Sequence, residues 1–235
     1  MSDSRRGYVP TDSREFNQES QLLLRKAQKD ILYLLEQGYP IKGASTFVGN
    51  HYMLSQRQRL AIVRATAIKS TRMLRESKRL SGASIGKKVY IDGLNVIITL
   101  EVALSSSTLI HCMDGTIRDL AGLRGTYHII DKTEEAIRLI GEELQLYGVE
   151  EAVFYLDAPV SNTGRLKQKI FEVLQPYAFD TKIELVNNAD VILQGLGSVI
   201  TQDSIILNEC ESWSNLTAEI VKKRVPKVPL VELHV

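Results

Sequence analysis

The stretch Lys88-Val-Tyr-Ile-Asp92-Gly-Leu-Asn95-Val-Ile97 decides the fold. Val89, Tyr90 and Ile91 form a strand-like run, and the small residues of Ser81-Gly-Ala-Ser-Ile-Gly86 ahead of it read as a linker. After Asp92 the apolar spacing predicts a helix over 94–104, then an irregular loop through 108–126. The pattern continues with helix 133–147, strand 152–156, helix 163–175, strand 182–186, helix 188–195, strand 198–200, helix 213–223 and strand 228–234. Such alternation predicts an α/β domain over residues 86–235 with a parallel sheet, helices on its faces, and functional groups at the carboxyl ends of the strands.

Upstream, Leu22, Leu23, Ala27, Ile31, Leu34 and Leu35 recur at helical spacing until Gly38 and Pro40 stop the pattern. Pro40 to Leu54 reads as a short mixed connection with Gly43, Gly49 and Asn50 as turn formers, and a second helix is expected over 55–80. Residues 1–85 are thus expected to form a small all-α domain. The formal charge of +1 hides a division, because residues 1–90 carry 17 Lys and Arg against 7 Asp and Glu, and the rest carries 12 against 21. From Arg57 to Arg79 the basic residues accompany a single acid, Glu76. That face suits a polyanion, with Arg57, Arg64, Arg72, Arg75 and Arg79 as candidate nucleic-acid contacts, or else it docks on the acidic half. No apolar run approaches the roughly 20 residues that span a bilayer, and MSDSRRGYVP lacks a secretory apolar stretch, so a cytoplasmic protein without membrane contact is expected. Cys112 and Cys210 form no C-x-x-C pair and are expected to be reduced thiols.

Asp92 closes the first strand, with Asn95 one helical turn on; Asp157 stands in the same place after Ala152–Leu156, and Asp203 follows the strand 198–200. Asp190 begins the helix before that strand, while Asp114 and Asp119 lie in the long loop. One such Asp is a common helix cap, but several on one sheet edge repel one another unless a cation or another positive group neutralises them. Oxygen ligands favour Mg²⁺ or Mn²⁺, and phosphodiester hydrolysis fits that inventory.

The motifs YIDGLNVI (90–97), FYLDAP (154–159), NNAD (187–190) and VITQDSIIL (199–207) resemble the acidic motifs of the PIN-like nuclease superfamily, nearest to its NYN-like branch. The resemblance implies a PIN-like parallel sheet and metal-dependent endoribonuclease chemistry. Asp92, Asn95, Asp157 and Asp203 would then be catalytic, and Asp92, Asp157, Asp190 and Asp203 would hold Mg²⁺ or Mn²⁺. RNA is the implied partner, ahead of single-stranded DNA. The whole chain is similar to uncharacterised archaeal and bacterial proteins that join a small helical domain to a PIN-like one. MDGTIRDLAGLRGTY (113–127) and LDAPVSNTGRLK (156–167) are shared with that group, which makes Asp114, Arg118, Asp119, Arg124, Asn162 and Arg165 candidate substrate-binding residues. Salt bridging is the other reading of Arg118 and Arg165.

GASIGKK (82–88) lacks the spacing and hydroxyl of a P-loop, and Asp92-Gly-Leu-Asn95 does not supply a dinucleotide-binding turn. A phosphatase using Asp92 as nucleophile and a non-catalytic RNA-binding or scaffold protein stay open. A homodimer is compatible with the sequence.

Overall fold

The computed structural model describes residues 4–122 and 125–233. Helices α1 (Asp12–Glu15), α2 (Gln18–Glu36), α3 (Ile41–His51), α4 (Gln56–Ala65) and α5 (Lys69–Ser77) come first, followed by the short strand β1 (Arg79–Leu80). Asn17 caps α2 by accepting from the Ser20 amide, and Ser55 opens α4 in a reciprocal capping box with Gln58.

Two expectations for this region are corrected. The connection 40–54 contains a helix, α3, and its Gly49 is not a turn former: a Cβ there would stand 2.7 Å from the Arg59 guanidinium, so the glycine makes room for that side chain. The helix expected over 55–80 breaks at Thr66, which is extended. The Met113 amide donates to the Ala65 carbonyl (2.9 Å) and takes the bond that a continuing helix would have made.

The opening stretch becomes β2 (Lys88–Asp92) and α6 (Gly93–Leu104). Next come β3 (Leu109–His111), β4 (Ile117–Asp119), α7 (Thr133–Leu146), β5 (Glu151–Asp157), α8 (Thr163–Leu174) and β6 (Asp180–Val186). The chain then runs through α9 (Ala189–Leu193), β7 (Val199–Ile200), α10 (Ser204–Glu209), β8 (Trp213–Ser214), α11 (Leu216–Arg224) and β9 (Leu230–Glu232). Six strands form one parallel sheet in the order β1-β8-β7-β2-β5-β6, flanked by helices, as the alternation predicted at the level of an α/β fold. The strand pleat divides the neighbours. Val89, Ile91, Ala152, Phe154 and Leu156 pack with α6, α7, α8 and α11, whereas Tyr90 and Tyr155 pack with α9 and α10 on the other face.

The loop expected over 108–126 holds a hairpin, β3 paired with β4, which β9 extends into a second sheet. Gly115 makes its turn at φ 79°, in the left-handed region that glycine enters without strain. Beneath it, Leu24, Ile31, Val48 and Ile62 of the leading helices share one apolar cluster with Ile110, Cys112, Leu120, Val231 and Leu233. The leading helices therefore rest on this small sheet, and β1 joins the large one beside β8.

An ion-pair network ties these parts together. Asp114 accepts from Arg75 and from Arg118 Nη2 (2.6 Å) on Oδ2, and from the Thr116 amide and hydroxyl on Oδ1. Arg75 also donates to Asn208 Oδ1 (2.9 Å) and the Ser204 carbonyl (3.1 Å), and Trp213 Nε1 donates to the Arg75 carbonyl (2.7 Å). Burial alone would raise the Asp114 pKa, but Arg118, Thr116 and Arg75 outweigh it and hold the carboxyl below its ordinary value.

Asp114→Ala leaves two buried guanidinium groups without their shared carboxylate, and a loss of about 3–5 kcal/mol is expected from urea unfolding. Gly93→Ala places a methyl group 2.6 Å from Leu156 Cδ2 and 3.1 Å from the Tyr155 carbonyl oxygen. Since the second neighbour is backbone, a loss of about 1–3 kcal/mol is expected by the same measurement; an unchanged midpoint would refute the close packing of α6 on β5.

Candidate active site

β2 lies where the sheet changes direction. From it the chain proceeds to β5 and β6 on one side and then returns to β7 on the other, so a crevice opens at the carboxyl ends of β2 and β7. Asp92 ends β2 beside this crevice, in register with Tyr155 of β5, while Ile200 of β7 is level with Ile91. A cleft of about 320 Å³ there is lined by Asp92, Asn95, Asp157, Asp190 and Asp203, together with Arg64, Arg118, Asp119, Gln202, Leu94, Ile98 and Ala121. Four acids read from separate strand ends and one helix are thus brought to one cavity.

Asp92 is 4% exposed. Its Oδ2 accepts from Asn95 Nδ2 (2.9 Å) and from the Thr201 hydroxyl (2.8 Å), and Oδ1 receives no hydrogen bond from the described residues. Burial pushes its pKa up to about 7; the Thr201 and Asn95 bonds work against that rise, and the charges of Asp190 and Asp203 add to it. Asp190, in the first turn of α9, is also raised, by burial first and then by Asp203 and Asp157. Asp157 Oδ1 accepts from the Ala189 amide (2.9 Å), which fixes the start of α9. Asp203 caps α10, its Oδ1 accepting from the Ile205 (2.7 Å) and Ile206 (3.2 Å) amides. Both acids keep a second oxygen beyond these structural duties.

Thr201 and Gln202 escaped the sequence reading. Gln202 Nε2 donates to the Asn95 carbonyl and the Thr99 hydroxyl (both 2.7 Å), and Oε1 accepts from Thr217, so this buried amide locks the first turn of α6 to the β7 end. Residues between Ile200 and Asp203 in VITQD were the available signal, but their partners are remote in sequence.

Several expected contacts fall elsewhere. Asp114 is buried in the ion-pair network and does not line the cleft; Arg118 does line it, but its donors are committed within the protein, Nε donating to the Gln202 carbonyl (2.7 Å). Arg75 is 4% exposed in the same network, and Arg57, which borders a separate surface cleft with Arg5 and Arg6, donates to Asp12 and to the Gly7 and Leu120 carbonyls. Asp119 does line the cleft, with Oδ2 accepting from Thr99 and Oδ1 from the Ala121 amide. Asn162 takes a left-handed φ of 69° and donates to the Tyr127 carbonyl (2.7 Å), and neither it nor exposed Arg165 lines the cleft. Arg124 lies outside the described residues. Arg72 and Arg79 border a separate surface cleft with Lys69. Cys112 and Cys210 are buried free thiols, and no helix among the described residues is long and apolar enough to cross a membrane. Among the described residues no three acidic, histidine or cysteine side chains are grouped so as to hold a metal ion between them.

The fold and cleft define an α/β protein with an acidic site at the switch point of a parallel sheet. The chain belongs to the family described as "Domain of unknown function (DUF5616)", whose model matches residues 82–219. Residues 23–78 match the model described as "Protein of unknown function (DUF434)". Among curated proteins, the chain is similar to "Uncharacterized protein MJ0935" of Methanocaldococcus jannaschii, 38% identical over 188 residues that cover 78% of this chain and 88% of that protein. No solved structure matches the chain.

The raised Asp92 pKa has a sign that can be tested. The folded protein holds this proton more tightly than the unfolded chain, so stability falls as pH rises from the ordinary 3.8 towards about 7 and stays reduced above it. Asp92→Asn, uncharged throughout, is expected to be more stable than wild type near pH 8 by up to about 4 kcal/mol, and to lose that advantage near pH 4. Thermal melts in chelator at both pH values check this; an advantage independent of pH would refute it.

Proposed function

We propose that this protein is a PIN-like, metal-dependent ribonuclease whose leading helices form an all-α region beside the catalytic domain. One observation carries the reading: Asp92, buried at the switch point with its pKa pushed up to about 7, shares a cleft with Asp157, Asp190 and Asp203. Such a set of like charges is costly unless a cation occupies the cleft during function.

The donor chemistry fits a hard divalent cation, being all oxygen. No three of these carboxylates are grouped to hold an ion between them among the described residues, so a cation here would be held by few direct ligands and otherwise through water, as Mg²⁺ commonly is. In this reading Asn95 and Thr201 occupy Asp92 Oδ2 and leave Oδ1 for the cation, with Asp190 and the second oxygens of Asp157 and Asp203 completing the acidic wall. A bound Mg²⁺ or Mn²⁺ would neutralise charge on the phosphoryl oxygens and order the attacking water. Hydrolysis joins the water oxygen to phosphorus as a P–O ester bond breaks, and the protein's part is to hold the phosphate and exclude competing geometry.

The open arrangement of the acids also favours a second reading, a non-catalytic RNA-binding or scaffold protein, which would be indifferent to metal. An Asp-dependent phosphatase is distinguished by a covalent phosphoryl group on Asp92.

Labelled RNAs and single-stranded DNAs are to be incubated with wild type and Asp92→Asn, in Mn²⁺, Mg²⁺ or chelator. The expected outcome is metal-dependent RNA cleavage, reduced by at least about a hundredfold in Asp92→Asn with binding retained. Tight binding without cleavage under every condition would replace the nuclease reading with the binding one.

A further inference from the structure

We infer that Arg64, carried to the acidic cleft by α4, grips the phosphate of the bound strand, so that the leading helices complete the site. The identity of that strand as RNA rests on the function proposed above.

A wall of carboxylates repels a phosphodiester, and a cation offsets only part of that repulsion. Two guanidinium groups line the cleft. Arg118 is 9% exposed, with its donors committed to Gln202, Arg64 and Asp114. The Arg64 side chain is 33% exposed. Its Nη1 donates to the Asp119 carbonyl and lies 3.6 Å from Asp119 Oδ1, and among the described residues Nε and Nη2 have no hydrogen-bond partner. Asp119 holds the guanidinium through Nη1 alone and hydrogen-bonds neither Nε nor Nη2, while its carboxylate also accepts from Thr99 (2.7 Å) and Ala121 (2.8 Å).

The open Nε–Nη2 edge is the planar fork that pairs with two phosphate oxygens at once. Its position is fixed from behind. Arg118 Nη1 donates to the Arg64 carbonyl (2.5 Å), and the Met113 amide to the Ala65 carbonyl (2.9 Å), clamping the last turn of α4 on the β3–β4 hairpin. The guanidinium is therefore presented by a braced helix end and needs little ordering when an anion arrives.

The test compares wild type, Arg64→Ala and Arg64→Lys, each with Mg²⁺ present. Two ligands are titrated: inorganic phosphate, by phosphorus NMR, and a short single-stranded RNA with hydroxyls at both ends. RNA binding is measured in an Asp92→Asn background to prevent turnover, and cleavage is followed separately in the Asp92 protein. Arg64→Ala is expected to weaken both ligands about tenfold, with the RNA loss uniform across sequences and the salt slope reduced by about one. Arg64→Lys should restore the salt slope while leaving affinity below wild type, since it keeps the charge and loses the fork. Matched melting curves for the three proteins show that the fold is intact, and Arg64→Lys carries the test if the alanine variant unfolds. Unchanged affinity for phosphate and RNA in Arg64→Ala, or a wild type that binds neither, overturns the assignment. Loss of phosphate binding in a protein that never cleaves RNA upholds Arg64 and removes the nuclease reading.

Discussion

One carboxylate placed between two guanidinium groups governs the arrangement of this protein. Asp114 meets Arg75 from α5 and Arg118 from β4 in a region from which water is largely excluded. A buried charge without a partner costs several kcal/mol, so neither arginine tolerates displacement of the other elements that hold it. Arg75 reaches on to α10, and Arg118 to the Gln202 and Arg64 carbonyls. The same network that seats α5 thereby sets the height of the β7–α10 turn, from which Asp203 projects, and the last turn of α4. The cleft is a by-product of that bracing: its walls are the elements the ion pairs pull together.

Charge counts describe this chain poorly until the pairs are known. Part of the basic excess in the first ninety residues is directed inward. Arg57 is taken up by Asp12 and by backbone carbonyls, Arg75 by Asp114, and Arg6 by Glu101. Many acids beyond residue 90 are paired too, Glu101, Asp114, Glu143 and Glu151 among them, whereas Asp92, Asp157, Asp190 and Asp203 line one cleft with no ion pair from the described residues. Paired acids elsewhere in the molecule and unpaired acids gathered in one cleft give very different local fields from the same formal total.

Four strands of the large sheet, β2, β5, β6 and β7, were legible in the sequence because they are short apolar runs separated by helical periods, and both periods are local properties; β1 and β8, two residues each, lie inside the spans 55–80 and 213–223 expected to be helical and were not. Asp92, Asp157, Asp190 and Asp203 were legible for the same reason, as each sits at a position defined by its own strand or helix. The hairpin 109–119 was not: β3 and β4 have three residues each, too few to show alternation, and β9, which completes their sheet, is remote in the chain. The break between α4 and α5 was hidden because its cause, the Met113 amide, comes from elsewhere in the chain. Arg57, Arg75 and Arg118 could not be separated from surface arginines by pattern, since a buried guanidinium and an exposed one have the same spelling, and only the partner tells them apart. Thr201 and Gln202 were invisible in the same way.

Trp213, the sole tryptophan, is fully buried in β8, with its indole N–H on the Arg75 carbonyl and the Arg79 guanidinium 5.8 Å from its ring. It therefore stands at the joint between α5 and the large sheet, next to the ion-pair network. Its emission colour responds to water and nearby charge, so one intrinsic fluorophore reports on that joint without any label. A red shift that precedes loss of helical circular dichroism would mean that the joint parts before the helices melt, and the order in which this molecule comes undone can be read by setting the two signals side by side.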